Sequence, residues 1–177
     1  ATPFDGEASG TPVTSQSVTI QDPTCFSLDF DGVDDAVRVI ALADFPWARP
    51  FTIETWAYWY DNRTQDIEPL LSQWNNGDPS GLQVSIVGRD HTDPVCGSVF
   101  AGEVLVRLAD TMCMTSSEAL TADAWTHIAV VALPTQVRIF IDGSTAGGMP
   151  NSDVPSSSAD LRFGEQDGAA FGGQISL

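Results

Sequence analysis

The chain has 177 residues, of which 24 are acidic and seven are basic, so its formal net charge at pH 7 is −17. Every basic residue is an arginine, which excludes lysine chemistry such as a catalytic Schiff base. The acidic excess argues against nucleic acid and against anionic membrane surfaces as partners, because both need a basic face. The length favours a single domain, and no apolar run approaches the ~20 residues of a membrane-spanning helix.

Short apolar runs separated by Gly, Pro, Asp or Asn predict an almost wholly β structure. Residues 1–24 are small and polar and are predicted to form an extended arm, followed by one domain over residues 25–177. The predicted strands are residues 17–20, 26–30, 36–39, 51–59, 68–74, 82–87, 99–102, 104–109, 125–133, 136–141 and 161–163. Residues 117–124 allow at most one helical turn, and residues 144–160 are expected to be a long surface loop. This series predicts a two-sheet antiparallel β-sandwich or jelly roll.

The run Phe51–Trp59 has the clearest alternation in the chain. One face would carry Phe51, Ile53, Thr55, Ala57 and Trp59, and the other Thr52, Glu54, Trp56 and Tyr58. Because both faces carry aromatic side chains, we expect a central strand that is covered on both sides.

Three cysteines, Cys25, Cys96 and Cys113, fit no zinc-binding spacing. Cys96 and Cys113 flank a stretch that is predicted to be a hairpin, and we expect a disulfide between them. Cys25 would then be a buried thiol or an intermolecular partner.

Several motifs resemble those of a laminin-G-like domain in their order and spacing. They are Ser27-Leu-Asp-Phe-Asp-Gly-Val-Asp-Asp-Ala-Val, Phe51-Thr-Ile-Glu-Thr-Trp, Trp125-Thr-His-Ile-Ala-Val-Val, Val137-Arg-Ile-Phe-Ile-Asp-Gly and Leu161-Arg-Phe-Gly. The resemblance covers about residues 26–177 and implies an extracellular or cell-surface domain with a concanavalin A-like fold. It also implies that Trp56 and Trp125 are core residues.

The sequence departs from this family at its C-terminus. Laminin-G-like domains continue beyond Phe171 through a further strand that pairs with the N-terminal strand, whereas this sequence stops at Leu177. The C-terminal strand is therefore expected to be missing. The groove that it leaves would be filled by the N-terminal arm, by a second copy or by a partner chain that adds a strand.

The segment Gly164-Glu165-Gln166-Asp167-Gly168 is similar to the loop with which pentraxins bind calcium. Calcium prefers carboxylate, amide and carbonyl oxygens. The resemblance implies a site formed by Glu165, Gln166 and Asp167, with Asp66 as a further ligand. Ile67 stands where the pentraxin pattern has an Asn ligand, and the short loop after Asp167 makes a second ion doubtful. The alternative is that these are solvated loop residues.

A second acidic cluster consists of Asp29, Asp31, Asp34 and Asp35. Carboxylates this close repel one another unless a cation or hydrogen bonds compensate them. The cluster indicates either ordinary turn chemistry or a second, structural calcium site.

The sequence has no clear catalytic pattern. It lacks the Glu-x-Asp-x-x-Glu run of glycosidases with this fold, and neither His91 nor His127 has a Gly-x-Ser-x-Gly partner. We therefore expect no enzyme. Sugars can stack on indole rings, and Trp74 with Asn75, beside a predicted loop, are the candidate ligand-binding residues.

The leading hypothesis is an extracellular, non-catalytic, calcium-dependent carbohydrate-binding or adhesion module with a glycan or cell-surface ligand. The alternative is a structural subunit of a cell-surface assembly, such as a pilus-like filament or surface layer, in which a partner chain supplies the missing strand. A glycan-active enzyme is the third hypothesis, and the motifs favour it least.

Overall fold

A computed structural model describes residues 27–39, 50–61, 65–75, 78–109, 112–150, 155, 157, 159–166 and 169–176. The predicted arm over residues 1–24, the strand predicted at residues 17–20, and Cys25 lie outside these ranges. Within the described part of the chain, no helix has the length and apolar character needed to cross a membrane.

The described residues form sixteen strands. In chain order they are β1 (Leu28–Asp31), β2 (Val37–Val39), β3 (Phe51–Trp59), β4 (Ile67–Asn75), β5 (Asp78–Val87), β6 (His91–Asp93), β7 (Gly97–Val99), β8 (Glu103–Leu108), β9 (Met112–Ala119), β10 (Trp125–Leu133), β11 (Gln136–Ile141), β12 (Ser144–Pro150), β13 (Leu161–Phe163), β14 (Glu165–Gln166), β15 (Ala169–Ala170) and β16 (Gly172–Ser176).

Two six-stranded sheets make up the body of the domain. Sheet I has the order β1-β16-β3-β10-β11-β12, and sheet II has the order β2-β13-β4-β5-β8-β9. Adjacent strands in both sheets run antiparallel. The predicted all-β, two-sheet antiparallel sandwich is therefore confirmed.

The core lies between the inner faces of the two sheets. Its buried side chains include Phe30, Trp59, Ile128, Val130, Ile139 and Ile175 from sheet I and Leu70, Leu82, Val84, Val106 and Leu108 from sheet II. In β3 the predicted alternation is correct, because Ala57 and Trp59 point into this core. Each large apolar side chain buried here contributes about 1.5–3 kcal/mol to folding.

The expected gap at the C-terminal strand is not found. Strand β16 lies between β1 and β3 and pairs with both, so the position beside the N-terminal strand is filled. The prediction failed because Gly172-Gly173-Gln174-Ile175 has little apolar content and low strand propensity. At Gly173 a Cβ atom would lie only 2.0 Å from the carbonyl oxygen of Tyr58, so this glycine is needed for the close approach of β16 to β3.

Two local predictions also need correction. Residues 117–124 contain no helical turn, which is within the predicted limit of one, and the first three of them belong to β9. The expected loop at residues 144–160 begins as β12, whose pairing with β11 shifts register beside the Asp142-Gly143 turn. The strand expected at residues 99–102 is instead β7 followed by a turn. In β9 and β12, backbone pairing with a strong neighbouring strand outweighs the low β propensity of Ser and Gly.

The outer face of sheet II is covered beside β5, β8 and β9 by residues 91–99, which form the β6–β7 hairpin and which we call the hairpin cap. Val99 of the cap packs with Val87 and Leu105 in a second small apolar cluster. A disulfide joins Cys96 of the cap to Cys113 of β9, which confirms the predicted pairing.

A buried ion pair also fastens the hairpin cap to sheet II. The carboxylate of Asp93 binds the guanidinium of Arg107 on β8, and it also accepts hydrogen bonds from the backbone N–H groups of Val95 and Cys96. The side chain of Asp93 is only 3% exposed. The cap therefore replaces water over this face of sheet II.

Candidate functional site

Among the residues that the structure describes, no segment covers the outer face of sheet I, and this face carries aromatic side chains. Trp56 is 49% exposed, Trp125 is 42% exposed and Tyr60 is 39% exposed. Together with Tyr58 they form what we call the aromatic face. The expectation that Trp56 and Trp125 belong to the core is wrong, as is the expectation that β3 is covered on both sides.

Strand register explains how these rings meet. Tyr58 pairs with Trp125 on one side and with Gln174 on the other, which gives one row across three strands. Trp56 pairs in the same way with His127 and Ser176, which gives a second row on the same face, two residues along β3 from the first. Because alternate residues of a strand share a face, both rows point away from the core.

The rings contact one another edge to face. Tyr58 lies 5.5 Å from Tyr60 and 5.6 Å from Trp125, measured between ring centroids. Trp56 lies 5.2 Å from the ring of His127. Such pairs stabilise each other by about 0.5–1.5 kcal/mol beyond their burial, so the aromatic face is held in place before any ligand arrives.

A groove of about 500 Å³ lies over this face, lined by Ser27, Trp56, Trp125, Gln174 and Ser176. Two tryptophan rings flank three polar side chains in it. Indole faces can stack on the apolar faces of sugar rings, and hydroxyl and amide groups can bind sugar hydroxyls. This combination suits a ligand that is partly apolar and rich in hydroxyl groups.

The polar rim is organised by hydrogen bonds. Ser27 Oγ donates to Gln174 Oε1 over 3.2 Å, and Gln174 Nε2 donates to the Tyr60 hydroxyl over 3.2 Å. The Tyr60 hydroxyl in turn donates to Asp29 Oδ1 over 3.1 Å. Partial desolvation raises the pKa of Tyr60, and the neighbouring Asp29 carboxylate adds to that increase. Gln174 is thereby held with a fixed orientation at the floor of the groove.

Carboxylates border the aromatic face. Glu54 lies two residues before Trp56 on the same side of β3, with its side chain 69% exposed. Its Oε2 is 3.8 Å from His127 Nε2. Asp142 is exposed beside the same row and accepts a hydrogen bond from the backbone N–H of His127. With Asp29, three carboxylates and one histidine surround the rings.

A buried carboxyl group lies directly behind this surface, at a position that no sequence pattern marks as functional. Glu68 of sheet II is fully buried. Its Oε2 accepts hydrogen bonds from Trp59 Nε1 over 3.2 Å and from the backbone N–H of Gly172 over 3.3 Å. Burial raises the pKa of Glu68 to about 7. Glu68 thus links sheet II to the two strands that carry Tyr58 and Gln174.

Two of the four predicted calcium ligands, Glu165 and Asp66, are already paired with arginine side chains. Glu165 lies 2.9 Å from Arg162 and 3.6 Å from Arg38, measured between carboxylate oxygen and guanidinium nitrogen. Asp66 pairs with Arg89. In this arrangement the carboxylates do not form a ready calcium site, since an ion would have to displace guanidinium groups.

The other two predicted calcium ligands are Gln166 and Asp167, and the structure describes only the first of them. Gln166 Oε1 is buried and has no hydrogen-bond partner among the described residues. Asp167 lies outside the described residues. A buried amide oxygen without a partner is the one feature here that fits an additional ligand.

Most of the second acidic cluster does come together. Single carboxylate oxygens of Asp31, Asp34 and Asp35 lie within 4.8 Å of one another, and all three residues are exposed. Asp31 and Asp35 accept backbone hydrogen bonds within the turn, so turn chemistry accounts for them. Asp29 takes part in the rim of the aromatic face instead.

The predicted sugar contacts lie elsewhere. Trp74 and Asn75 end β4 in sheet II. Trp74 is half-buried, and the side chain of Asn75 lies outside what the structure describes. Trp74 does not line the groove of the aromatic face.

Two six-stranded antiparallel sheets packed face to face form a concanavalin A-like β-sandwich. A laminin-G family model, described as concanavalin A-like lectin/glucanases superfamily, matches residues 31–176. The chain belongs to this superfamily. Among curated protein sequences, none matches it.

Solved structures support the same fold at low sequence identity. The CBM40 module of a Ruminococcus gnavus IT-sialidase, bound to alpha2,3 sialyllactose, has a TM-score of 0.58 at 15% identity, and the match covers 86% of this chain and 88% of that one. Domains LG4-5 of the mouse laminin alpha1 chain give 0.54 at 10% identity, over 85% of this chain and 39% of theirs. A pentraxin from Limulus polyphemus gives 0.51 at 12% identity, over 88% and 69%.

Proposed function

We propose that this protein is an extracellular, non-catalytic carbohydrate-binding or adhesion module that binds glycans on its aromatic face. The observation that carries the proposal is the pair of exposed tryptophans, Trp56 and Trp125, beside a groove with an ordered polar rim. Large exposed apolar groups on a soluble domain mark interaction sites when polar groups surround them. The structural likeness to a sialidase CBM40 module supports the proposal at the level of the fold.

The test is binding of the isolated protein to an array of glycans, followed by calorimetric titration of the best ligand. Trp56→Ala and Trp125→Ala should each weaken binding about tenfold, which corresponds to about 1.4 kcal/mol. Trp74→Ala is the matched control, because it removes the tryptophan at the alternative site in sheet II. If Trp74→Ala abolishes binding while the other two variants bind normally, the ligand lies at the end of β4.

Calcium dependence is a second and separable proposal. The buried, unpartnered oxygen of Gln166 favours an ion at this loop, whereas the arginines at Glu165 oppose it. We therefore propose weak binding, with a dissociation constant of about 10⁻⁴–10⁻³ M, in the range of extracellular calcium modules. Millimolar calcium should raise the Tm of the wild type but not that of Glu165→Gln. An unchanged Tm and no heat in a calcium titration would remove calcium from the function.

The structural-subunit hypothesis has lost its main argument, because β16 fills the position that was expected to be empty. Solution mass by light scattering distinguishes it from the proposed function. A monomer that binds glycan supports the module, and a high-order assembly without glycan binding supports the subunit.

A further inference from the structure

The charges around the aromatic face restrict the class of glycan that it can accept. This inference rests on the proposed function, since it concerns the ligand of the same face. Three carboxylates, those of Glu54, Asp29 and Asp142, border the rings, and among the described residues His127 is the basic side chain that contacts them. The whole chain carries a net charge of −17, so the long-range field has the same sign as the local one.

Four of the five arginines that the structure describes are paired with carboxylates away from the aromatic face. Arg38 and Arg162 pair with Glu165, and the two others in sheet II or its loops also have carboxylate partners. The remaining arginine among the described residues, Arg138, is exposed on β11. It shares a row with Val131 and Thr52, four residues or about 13 Å along the strand from the row of Trp56.

Binding of a carboxylate or sulfate on a protein depends on such cations, most often as a bidentate arginine contact. An acidic glycan on the aromatic face would lie among carboxylates without that contact. An ammonium group on the ligand would be favoured by the same charges. It would be attracted by the carboxylates, and it could also lie over an electron-rich tryptophan or tyrosine ring.

We propose that the aromatic face selects glycans that carry free amino groups and rejects glycans that carry carboxylates or sulfates. The sugar rings stack on Trp56 and Trp125, and the ammonium groups lie next to Glu54 and Asp29. Amino sugars without an N-acetyl group are the ligand class that combines these features.

The test compares a glucosamine oligomer with its fully N-acetylated counterpart at about pH 6, where carboxylates are ionised. Sialyllactose serves as the acidic ligand. The glucosamine oligomer should bind about five- to tenfold more tightly than the acetylated one, as two exposed ion pairs allow. The difference should shrink as salt is raised, because exposed charges are screened. Sialyllactose should not bind.

The double variant Asp29→Asn and Glu54→Gln should remove most of the preference for the amine. Asparagine at position 29 still offers an oxygen to the Tyr60 hydroxyl, so the polar rim can be kept. Glu118→Gln is the matched control, because Glu118 is an exposed carboxylate on β9 of the other sheet; it should keep the wild-type preference.

The outcomes separate this inference from the proposed function. Equal binding of the two oligomers, with loss of both in Trp56→Ala, overturns the charge selection and leaves the proposed function in place. A glycan array whose ligands are acidic also overturns the charge selection. Absence of binding to any glycan, whether amino, neutral or acidic, overturns the proposed function and this inference with it.

Discussion

The outer faces of the two sheets differ in how far other segments cover them. On sheet II the hairpin cap lies over β5, β8 and β9, and the outward side chains Gln83, Ser85 and Val87 of β5 are buried. On sheet I the outward side chains of β3 and β10 are exposed or half-buried, Trp56 and Trp125 among them, except for the buried Ala129. The aromatic residues are therefore on the face that has no cover among the described residues.

This difference distinguishes apolar residues that stabilise the fold from apolar residues that are available to a ligand. An apolar cluster under the hairpin cap contributes to stability, because water is excluded from it. An apolar cluster on the aromatic face contributes little to stability until a ligand covers it. Substitutions on the two faces should therefore affect different measurements.

The largest effect is expected for Asp93→Ala under the hairpin cap. The substitution leaves Arg107 buried without its partner and removes the acceptor of two backbone N–H groups. Loss of one partner from a buried ion pair costs about 3–5 kcal/mol. Urea unfolding measures this as a lower free energy of unfolding, with Glu118→Ala as the exposed control. A loss below about 1 kcal/mol would mean that the cap is not fastened by this pair.

The second-largest loss of stability is expected when the disulfide is removed. Replacing both Cys96 and Cys113 by alanine opens a loop closed over a separation of 17 residues. A loop of this length contributes about 3 kcal/mol through the entropy of the unfolded chain. Thermal unfolding of the double variant should show the loss, and glycan binding should be unchanged because the aromatic face is on the other sheet. Loss of binding together with stability would contradict the independence of the two faces.

Glu68, which joins the sheets, should make stability depend on pH. Its pKa is about 7 in the folded protein and 4.5 in the unfolded chain. Between these values the folded state holds the proton and the unfolded state does not, so stability decreases as pH rises through this range and stays reduced above about 7. The decrease is about 3 kcal/mol, since the two pKa values differ by about 2.5 and a difference of one corresponds to about 1.4 kcal/mol.

Comparison with Glu68→Gln isolates this contribution from the titration of the other acidic groups. The glutamine variant should be more stable than the wild type at pH 8 and should lose its advantage near pH 4, where Glu68 is neutral in both states. A difference between the two proteins that is constant across pH would show that Glu68 keeps its ordinary pKa.

The smallest change in stability is expected on the aromatic face. Trp56→Ala and Trp125→Ala should each lower the free energy of unfolding by only about 1–2 kcal/mol, because each ring is about half covered and keeps one aromatic contact. Far larger losses in urea unfolding would indicate that these rings are covered in solution, which would remove the face as a binding surface.

The fold was largely predictable from the sequence because long alternating strands carry a strong signal. Phe51–Trp59, Trp125–Leu133 and Gln136–Ile141 were placed with the bounds that the structure shows. Strands β9, β12 and β16 were missed, because Ser and Gly do not reveal strands that form through pairing with their neighbours.

The site was less predictable for a different reason. Alternation tells which side chains share a face, but not which face another segment covers. The hairpin cap decides that question for sheet II. Its disulfide to β9 was predictable, but its ion pair between Asp93 and Arg107 of β8 joins positions that no local pattern connects. Trp56 was therefore assigned to the core, although its position opposite Trp59 in the alternation was recognised correctly.

The placement of β16 has a consequence for how the domain folds. The groove combines Ser27 near one end of the domain with Gln174 near the other, and Trp56 and Trp125 lie between them in the sequence. Pairings over such separations close late and make folding slow. A chain in which these pairings have not yet formed cannot present the groove, so ligand binding would report the completion of folding.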